Sequence, residues 1–315
     1  MNMRKCLVFQ ILGLFFFLPF VAQAQQNPLP FFDKKGIISL QAEAMSAMAD
    51  TIPVINHRAD DIVWSRTVYR IIDMRDKQNY QLYFPTRPND EYKSLFRVIL
   101  EAICDDTNGV NMYRRNPRDV KPSFDDSQIL EGGDLSDAFM YDEERENNLI
   151  QVDTLTQTRR IEENAYMNYV KNQIKFLIQE VVFFNKHNSR MYSKIVAIAP
   201  LYALHPDNKA NSENTMLYFQ NSILGWIIFD ELRPFLAKQM IIPRGNDTQR
   251  LTFDDFFSQN LYASYLLGDS NMYNRMLLNY ASVISDPAKF EAFVRKEQSR
   301  IETELLNFEM DVWEY

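Results

Sequence analysis

The chain is poor in the residues that most often announce chemistry. Its three histidines, His57, His187 and His205, lie far apart, and none has a second ligand at helical spacing. HExxH and CxxC patterns are absent, so no metal centre is expected. There is no GxSxG elbow, phosphate-binding loop or dinucleotide fingerprint, which removes the commonest hydrolase and nucleotide-binding readings. Cysteine occurs twice, at Cys6 and Cys104. Positive charge is also scarce: the formal net charge is −8, which argues against nucleic acid as a partner. Beyond the first few tens of residues no apolar run approaches the length of a membrane span.

What the chain does have begins with Arg4 and Lys5, an apolar run from Leu7 to Val21, and Ala22-Gln23-Ala24. A basic start, an apolar centre and a small-x-small close describe a secretory signal peptide, residues 1–24. Cleavage after Ala24 leaves 315 − 24 = 291 residues, and losing Arg4 and Lys5 takes the charge from −8 to −10. Cys6 precedes the apolar run, so it is no lipoprotein cysteine. Cys104 alone survives, and no internal disulfide can form even in an oxidising compartment. The mature protein is expected to be soluble outside the cytoplasm. Its stability must come from packing, for which aromatics at 13% of residues supply ample material.

The expected fold class is α+β: two small mixed lobes joined by an acidic linker. Residues 25–59 read as an N-terminal extension, either lying on the surface or ordering on a neighbouring subunit. The first lobe, 60–115, opens with the densest block of pattern, Asp60 to Pro85. There Asp60 or Asp61 can cap a helix, and Trp64, Val68, Ile71 and Ile72 fall at i, i+4, i+7 and i+8, which predicts a helix with one apolar face. Arg66, Arg70, Asp73 and Lys77 mark another face. Tyr80, Leu82 and Phe84 then alternate as in a strand, closed by Pro85. A second helix follows from Asn89 or Asp90, with Tyr92, Leu95, Phe96, Ile99 and Ile103 as its buried stripe, Cys104 at its end and an Asn108-Gly109 turn before a short strand from Val110 to Tyr113.

Residues 116–164 show little apolar periodicity and carry the acidic run Asp142-Glu143-Glu144, reading as a linker or long excursion. The second lobe, 165–315, should contain a β-hairpin, with strands around Ile174–Phe184 and Tyr192–Ala199 and a polar turn at Asn185–Arg190. A further strand is expected at Leu224–Phe229, then a short helix capped by Asp230 with Pro234 in its first turn. Thr252 and Asp255 form a capping box ahead of Phe256, Phe257 and Leu261. Asp286-Pro287 opens a long last helix striped by Phe290, Val294, Ile301, Leu305, Phe308 and Val312, a spacing more typical of core than of an intermolecular coiled coil.

Little of this carries catalysis. Asp105 to Gly109 hints at a calcium loop, but the later glutamate is missing, and a helix end with an Asn-Gly turn explains it better. Cys104 follows an apolar stripe and reads as a half-buried structural thiol. The paired acids at 60/61, 125/126 and 254/255 read as caps and solvated turns rather than as a catalytic dyad. No enzyme, cofactor or metal is expected. The block 60–85 admits two readings, a core helix with a solvated charged side or a partner-binding surface, since Arg and Tyr concentrate at interface hot spots.

Several separated motifs, in order, resemble the GldN/PorN family of the gliding and type IX secretion machinery. They are Asp61, Trp64-Ser65-Arg66, Arg70-Ile71-Ile72-Asp73, Arg75, Lys77, Asn79 and Leu82-Tyr83-Phe84-Pro85, then Phe183-Phe184, Ile198-Ala199-Pro200, Trp226, Leu232-Arg233-Pro234 and Asp311-Val312-Trp313-Glu314-Tyr315. Asp76 stands where the family usually has Glu, and Val181-Val182 where an acidic residue and Trp are common. The resemblance implies a non-catalytic periplasmic subunit that joins a GldK/PorK-type outer-membrane lipoprotein in a ring engaged by a GldL/GldM-type motor. The candidate partner interface is then Arg66, Tyr69, Arg70, Asp73, Arg75, Tyr83 and Arg233. On this reading Arg66 and Arg70 could be reversed to Glu to block assembly without unfolding. The alternative is a periplasmic ligand-binding module or enzyme using the groove between the lobes.

Overall fold

The computed structural model describes residues 51–313 other than 53–56, 90, 106–108, 117–118, 141–147, 154, 157, 172–174, 203–218, 220–221, 244–250, 271–275, 278–283 and 285. The leader, most of the N-terminal extension, the acidic run Asp142-Glu143-Glu144, Asn108 of the expected turn, and Glu314-Tyr315 lie outside the described residues. In the elements below, a strand replaces the helix expected after Asp61. β1 spans Ile62–Asp73, and the one-turn helix α1 spans Tyr80–Tyr83, where a strand was expected. Next come α2 (Leu95–Cys104), β2 (Met112–Tyr113), α3 (Gly132–Ala138), β3 (Ile150–Val152), β4 (Arg159–Ile161) and α4 (Glu163–Lys171). The hairpin strands β5 (Lys175–Asn185) and β6 (Arg190–Leu201) follow, then β7 (Trp226–Ile228), α5 (Phe229–Lys238), α6 (Phe253–Ser258), β8 (Tyr265–Asp269) and α7 (Pro287–Trp313).

The reversal at β1 has a plain cause. Six of its twelve residues, Ile62, Val63, Thr67, Val68, Ile71 and Ile72, are β-branched, and Trp64 and Tyr69 add aromatic bulk. The strand lies inside the main sheet, whose order is β2-β7-β6-β5-β1-β8 with antiparallel neighbours. From Val68 onward it is covered on both faces, so its apolar residues run together and mimic a helical stripe. Period-two geometry still holds: Ile71 packs with Tyr69, Leu177, Ala197 and Trp226, whereas Ile72 packs with Phe176, Ile178 and the helices α2, α4, α5 and α6.

Because β1 is hydrogen-bonded to β5 along its length and to β8, residues 60–115 and 165–315 share one sheet and one core. The expected division into two lobes therefore does not describe the packing, and Ser46–Tyr315 is a single compact unit. Nor are the described residues of 116–164 a spacer. Val120, Leu130, Leu135, Phe139, Leu149 and Ile150 are buried, and β3 pairs with β4 as a small second sheet. Only Leu135 and Phe139 share a helical spacing and the others are isolated or adjacent in sequence, so little periodicity betrays them. The α+β class itself stands.

Elsewhere most local signals translate. α2 starts later than the expected Asn89 or Asp90: the Asn89 side chain accepts from the Glu91 and Tyr92 amides in a turn ahead of the helix, and Tyr92 is outside it. The cap is Ser94, whose hydroxyl accepts from the Arg97 amide, and the helix buries Leu95, Phe96, Ile99 and Ile103. Cys104 at its end is half-buried, as expected. Gly109 is needed for space: a Cβ there would sit 2.1 Å from the Asp105 carbonyl oxygen. The hairpin β5–β6 pairs from Lys175–Leu201 to Asn185–Arg190. The Thr252–Asp255 capping box is formed in both directions. α5 begins at Phe229, one residue before the expected cap, so Pro234 falls inside the helix rather than in its first turn. α7 starts at Pro287 and lays Val294, Ile301 and Leu305 against Val68, Val182, Leu266 and Leu277. Trp64 stacks on Phe308 with ring centroids 4.4 Å apart, fastening the start of β1 to the end of α7.

Candidate functional site

The seven candidate interface residues fall into three places, and nearly all their polar groups are turned inward. Arg66 projects from β1 toward α7. One Nη of its guanidinium lies 2.5 Å from the buried Asp269 carboxylate at the end of β8, and the other is 3.2 Å from Glu304. Glu304 also pairs with Arg300, which bonds Glu297 in turn, so a chain of alternating charges stitches α7 to the sheet. Burial opposes ionisation of Glu304, but the guanidinium groups of Arg66 and Arg300 outweigh it and hold its carboxyl below the ordinary value. Further along the strand, Arg70 Nε donates to Glu180 of β5 at 3.1 Å, and Glu180 is 6% exposed. Between them Tyr69 is buried, and that burial, with the nearby charge of Asp119, pushes its hydroxyl well above the usual range.

The second place is the end of β1. The Asp73 carboxylate receives Arg75 through Nε and Nη2, and Lys175 from β5 at 2.9 Å. Burial alone would raise its pKa; the hydrogen bonds from Arg75 and Lys175 win, and the carboxyl is driven far below the ordinary carboxylate value. Arg75 itself is more than half exposed, so its outer edge faces solvent. Asn79, fully buried, donates to the carbonyls of Asp73 and Ala263 and accepts from the Ala263 amide. It thereby pins the turn after β1 to the segment entering β8. Tyr83 donates its hydroxyl to the Val170 carbonyl of α4. Phe84 and Tyr265 remain exposed at this end of the sheet.

The third place is Arg233 on α5. Its Nε and Nη2 grip both oxygens of Asp254 on α6, at 2.7 and 3.0 Å, and both residues are buried. The hydrogen bond to Asp254 raises the Arg233 pKa, against the cost of burial. Asp254 also accepts the backbone N–H of Ile52 at 2.9 Å, and Arg233 donates to the Ile52 carbonyl. The pair thus holds the backbone of the N-terminal extension from both sides. Beside it lies a groove of about 680 Å³ lined by residues including Ile52, His57, Phe183, Tyr192, Lys194 and Phe229. His57 packs edge-on against Phe183, and its Nδ1 accepts from Asn185 Nδ2 at 2.8 Å. Lys194 meets Asp230 across the groove at 2.7 Å.

The arginines stand out in the sequence, as does Asp73 beside Arg75, but the other acids that hold them do not. Asp254, Asp269, Glu180 and Glu304 have no local pattern, because their partners are 21 to 238 residues away. One signal was available at 254/255: a capping box uses a single acid, and Asp255 is that acid, which leaves Asp254 to be accounted for. Among the described residues no group of three or more His, Cys, Asp and Glu could hold a metal ion. No described helix is long and apolar enough to cross a membrane. A family model described as gliding motility associated protein GldN matches residues 57–314. No curated protein matches the chain.

Proposed function

Because the chain belongs to the GldN family over residues 57–314, and so is a component of the gliding motility and type IX secretion machinery, we propose that it serves there as a non-catalytic structural subunit of a periplasmic ring. In this reading the leader is removed near Ala24, and the mature protein sits on the outer membrane through a GldK/PorK-type lipoprotein. It associates with further copies of itself and is engaged by GldL/GldM-type motor proteins. The single observation that carries the proposal is the length of the family match, which takes in every described strand and helix. Two features support it. A ring closed by rotation needs two unlike faces on each subunit. The exposed edge of Arg75 with Phe84 and Tyr265, and the Arg233 groove, are two such surfaces. The polar groups of the β1 block are committed to internal pairs, which fixes the shape of a subunit whose work is contact.

Size-exclusion chromatography with light scattering, on the mature protein with and without its lipoprotein partner, tests this. A large stoichiometric particle on mixing is the expected result; a monomer that ignores the lipoprotein would overturn it. The groove favours one second reading, a periplasmic ligand-binding module. A rise in melting temperature with a small apolar ligand, and no association with the lipoprotein, would be its signature.

A further inference from the structure

α7 carries two rows of residues, and only one of them is covered. Val294, Ile301 and Leu305 pack on Val68, Val182, Leu266 and Leu277, and Phe308 stacks on Trp64. On the far side Ser299, Thr303, Leu306 and Met310 follow at spacings of four, three and four, and Trp313 continues the row in the sequence three residues later. That alternation is the a/d seam of a coiled coil, which runs straight along one helix face. Leu306 is 56% exposed and Met310 57%, and Ser299 and Thr303 are exposed beside them. The Thr303 hydroxyl donates to the Ser299 carbonyl at 2.6 Å, which satisfies it and leaves the methyl as the group free for contact. The charges along this row are of one sign. Glu302 and Glu309 occupy its flanking g positions, and from Ile301 to Tyr315 there are five acids, Glu302, Glu304, Glu309, Asp311 and Glu314, with no lysine or arginine. Glu304 is taken up by Arg66 and Arg300, whereas Glu302, Glu309 and Asp311 are exposed and meet no cation among the described residues. Acids in the last turns of a helix oppose its macrodipole, so this arrangement weakens the end of α7 while nothing lies against it.

We infer that this outer face of α7 docks a helix of another protein, one whose own 3-4 apolar row is flanked by lysine or arginine. Basic residues opposite Glu302 and Glu309 complete the g–e pairs that set partner choice in coiled coils, and they neutralise acids that the helix dipole disfavours. A second copy of this chain does not fit. Laid along the same row, it brings Glu302 or Glu309 against Glu309 in antiparallel order and Glu309 against Glu314 in parallel order. An anionic bilayer is repelled for the same reason. The buried row holds α7 on the sheet throughout, so the partner meets a helix that is already formed. This inference goes beyond the ring reading and does not require self-association.

Two three-heptad helical peptides probe the mature protein by fluorescence anisotropy. Both carry leucine at every a and d position; one has lysine at e and g, the other glutamate. The lysine peptide should bind about tenfold more tightly than the glutamate peptide. In Glu302→Lys/Glu309→Lys that order should invert with the urea midpoint unchanged, because neither acid has a partner within the described fold. Leu306→Ser/Met310→Ser should bind neither peptide. Equal binding of the two peptides, or an order that the charge reversal leaves as it was, would overturn the inference. Leu306→p-benzoylphenylalanine, irradiated in cells, then reads the natural occupant. The expected adduct lies on another protein, in a segment with a 3-4 apolar row and basic flanks. Adducts confined to a second copy of this chain, to lipid or to a segment without basic flanks, or no adduct at all, would equally overturn it.

Discussion

Arg66→Ala separates an arginine that holds the fold from one that waits for a partner. Removing the guanidinium leaves the Asp269 carboxylate, 4% exposed, without its 2.5 Å ion pair. Breaking a buried pair by deleting one member costs about 3–5 kcal/mol. Arg66 is itself about a fifth exposed, so part of that field is already screened by water. Its second bond, to Glu304, adds under about 1 kcal/mol, because Glu304 is 44% exposed and keeps Arg300. The expected destabilisation is therefore roughly 2–4 kcal/mol. In urea this is a midpoint shift of about 1 M at an unchanged slope of about 3 kcal/mol/M. Arg66→Ala/Asp269→Ala should be less unstable than the sum of the single changes, since it removes both charges of the pair together. A loss below about 0.5 kcal/mol, with additive double-mutant behaviour, would refute the internal assignment. The same reasoning revises the expectation for reversing Arg66 and Arg70 to Glu. Each reversal sets a carboxylate against a buried acid, Asp269 or Glu180, so the variant should lose its fold rather than assembly alone.

Three further outcomes follow from the geometry. Asn79→Ala strips three hydrogen bonds from a fully buried position and should cost about 3 kcal/mol, read by chemical denaturation. Thr252→Ala opens the capping box ahead of α6 and should cost about 1 kcal/mol; a neutral result would show that the cap is redundant. Asp73 has a carboxyl depressed below its ordinary 3.8, so the unfolded chain takes up that proton first as the pH falls. Its stabilising contribution is complete above about pH 5 and drains away below about pH 4, toward the lower folded value. Asp73→Asn should therefore be less stable than wild type at about pH 6, with the gap narrowing at about pH 3. A gap that stays constant or widens on acidification would contradict the assigned pairing with Arg75 and Lys175.

How much could be read from the sequence depended on how far apart the interacting residues lie. The hairpin at Lys175–Leu201, the cap at Thr252 and the start of α7 at Pro287 follow from neighbours within a few positions, and all were legible. β1 was not, because a strand covered on both faces shows continuous apolar character. Trp64, Val68, Ile71 and Ile72 happen to satisfy helical spacing as well. Its β-branched content was the better guide, and it was outweighed by periodicity. The turn at Tyr80–Tyr83 looked like an alternating strand because nothing local shows that Asn79 is tied to Ala263, 184 residues away. For the candidate site the residue types were visible and their partners were not. Arg233 stood out as part of a motif, but its meaning comes from Asp254 and from a backbone unit 181 residues upstream.

In its proposed role this chain acts through contact, as one of many copies in a shared particle. Electron microscopy of particles purified from outer membranes through the GldK/PorK-type lipoprotein is the decisive measurement. A closed ring in which this chain repeats around the circumference is the expected image. Particles that hold the lipoprotein but lack this chain, or carry a single copy of it, would refute the proposed role.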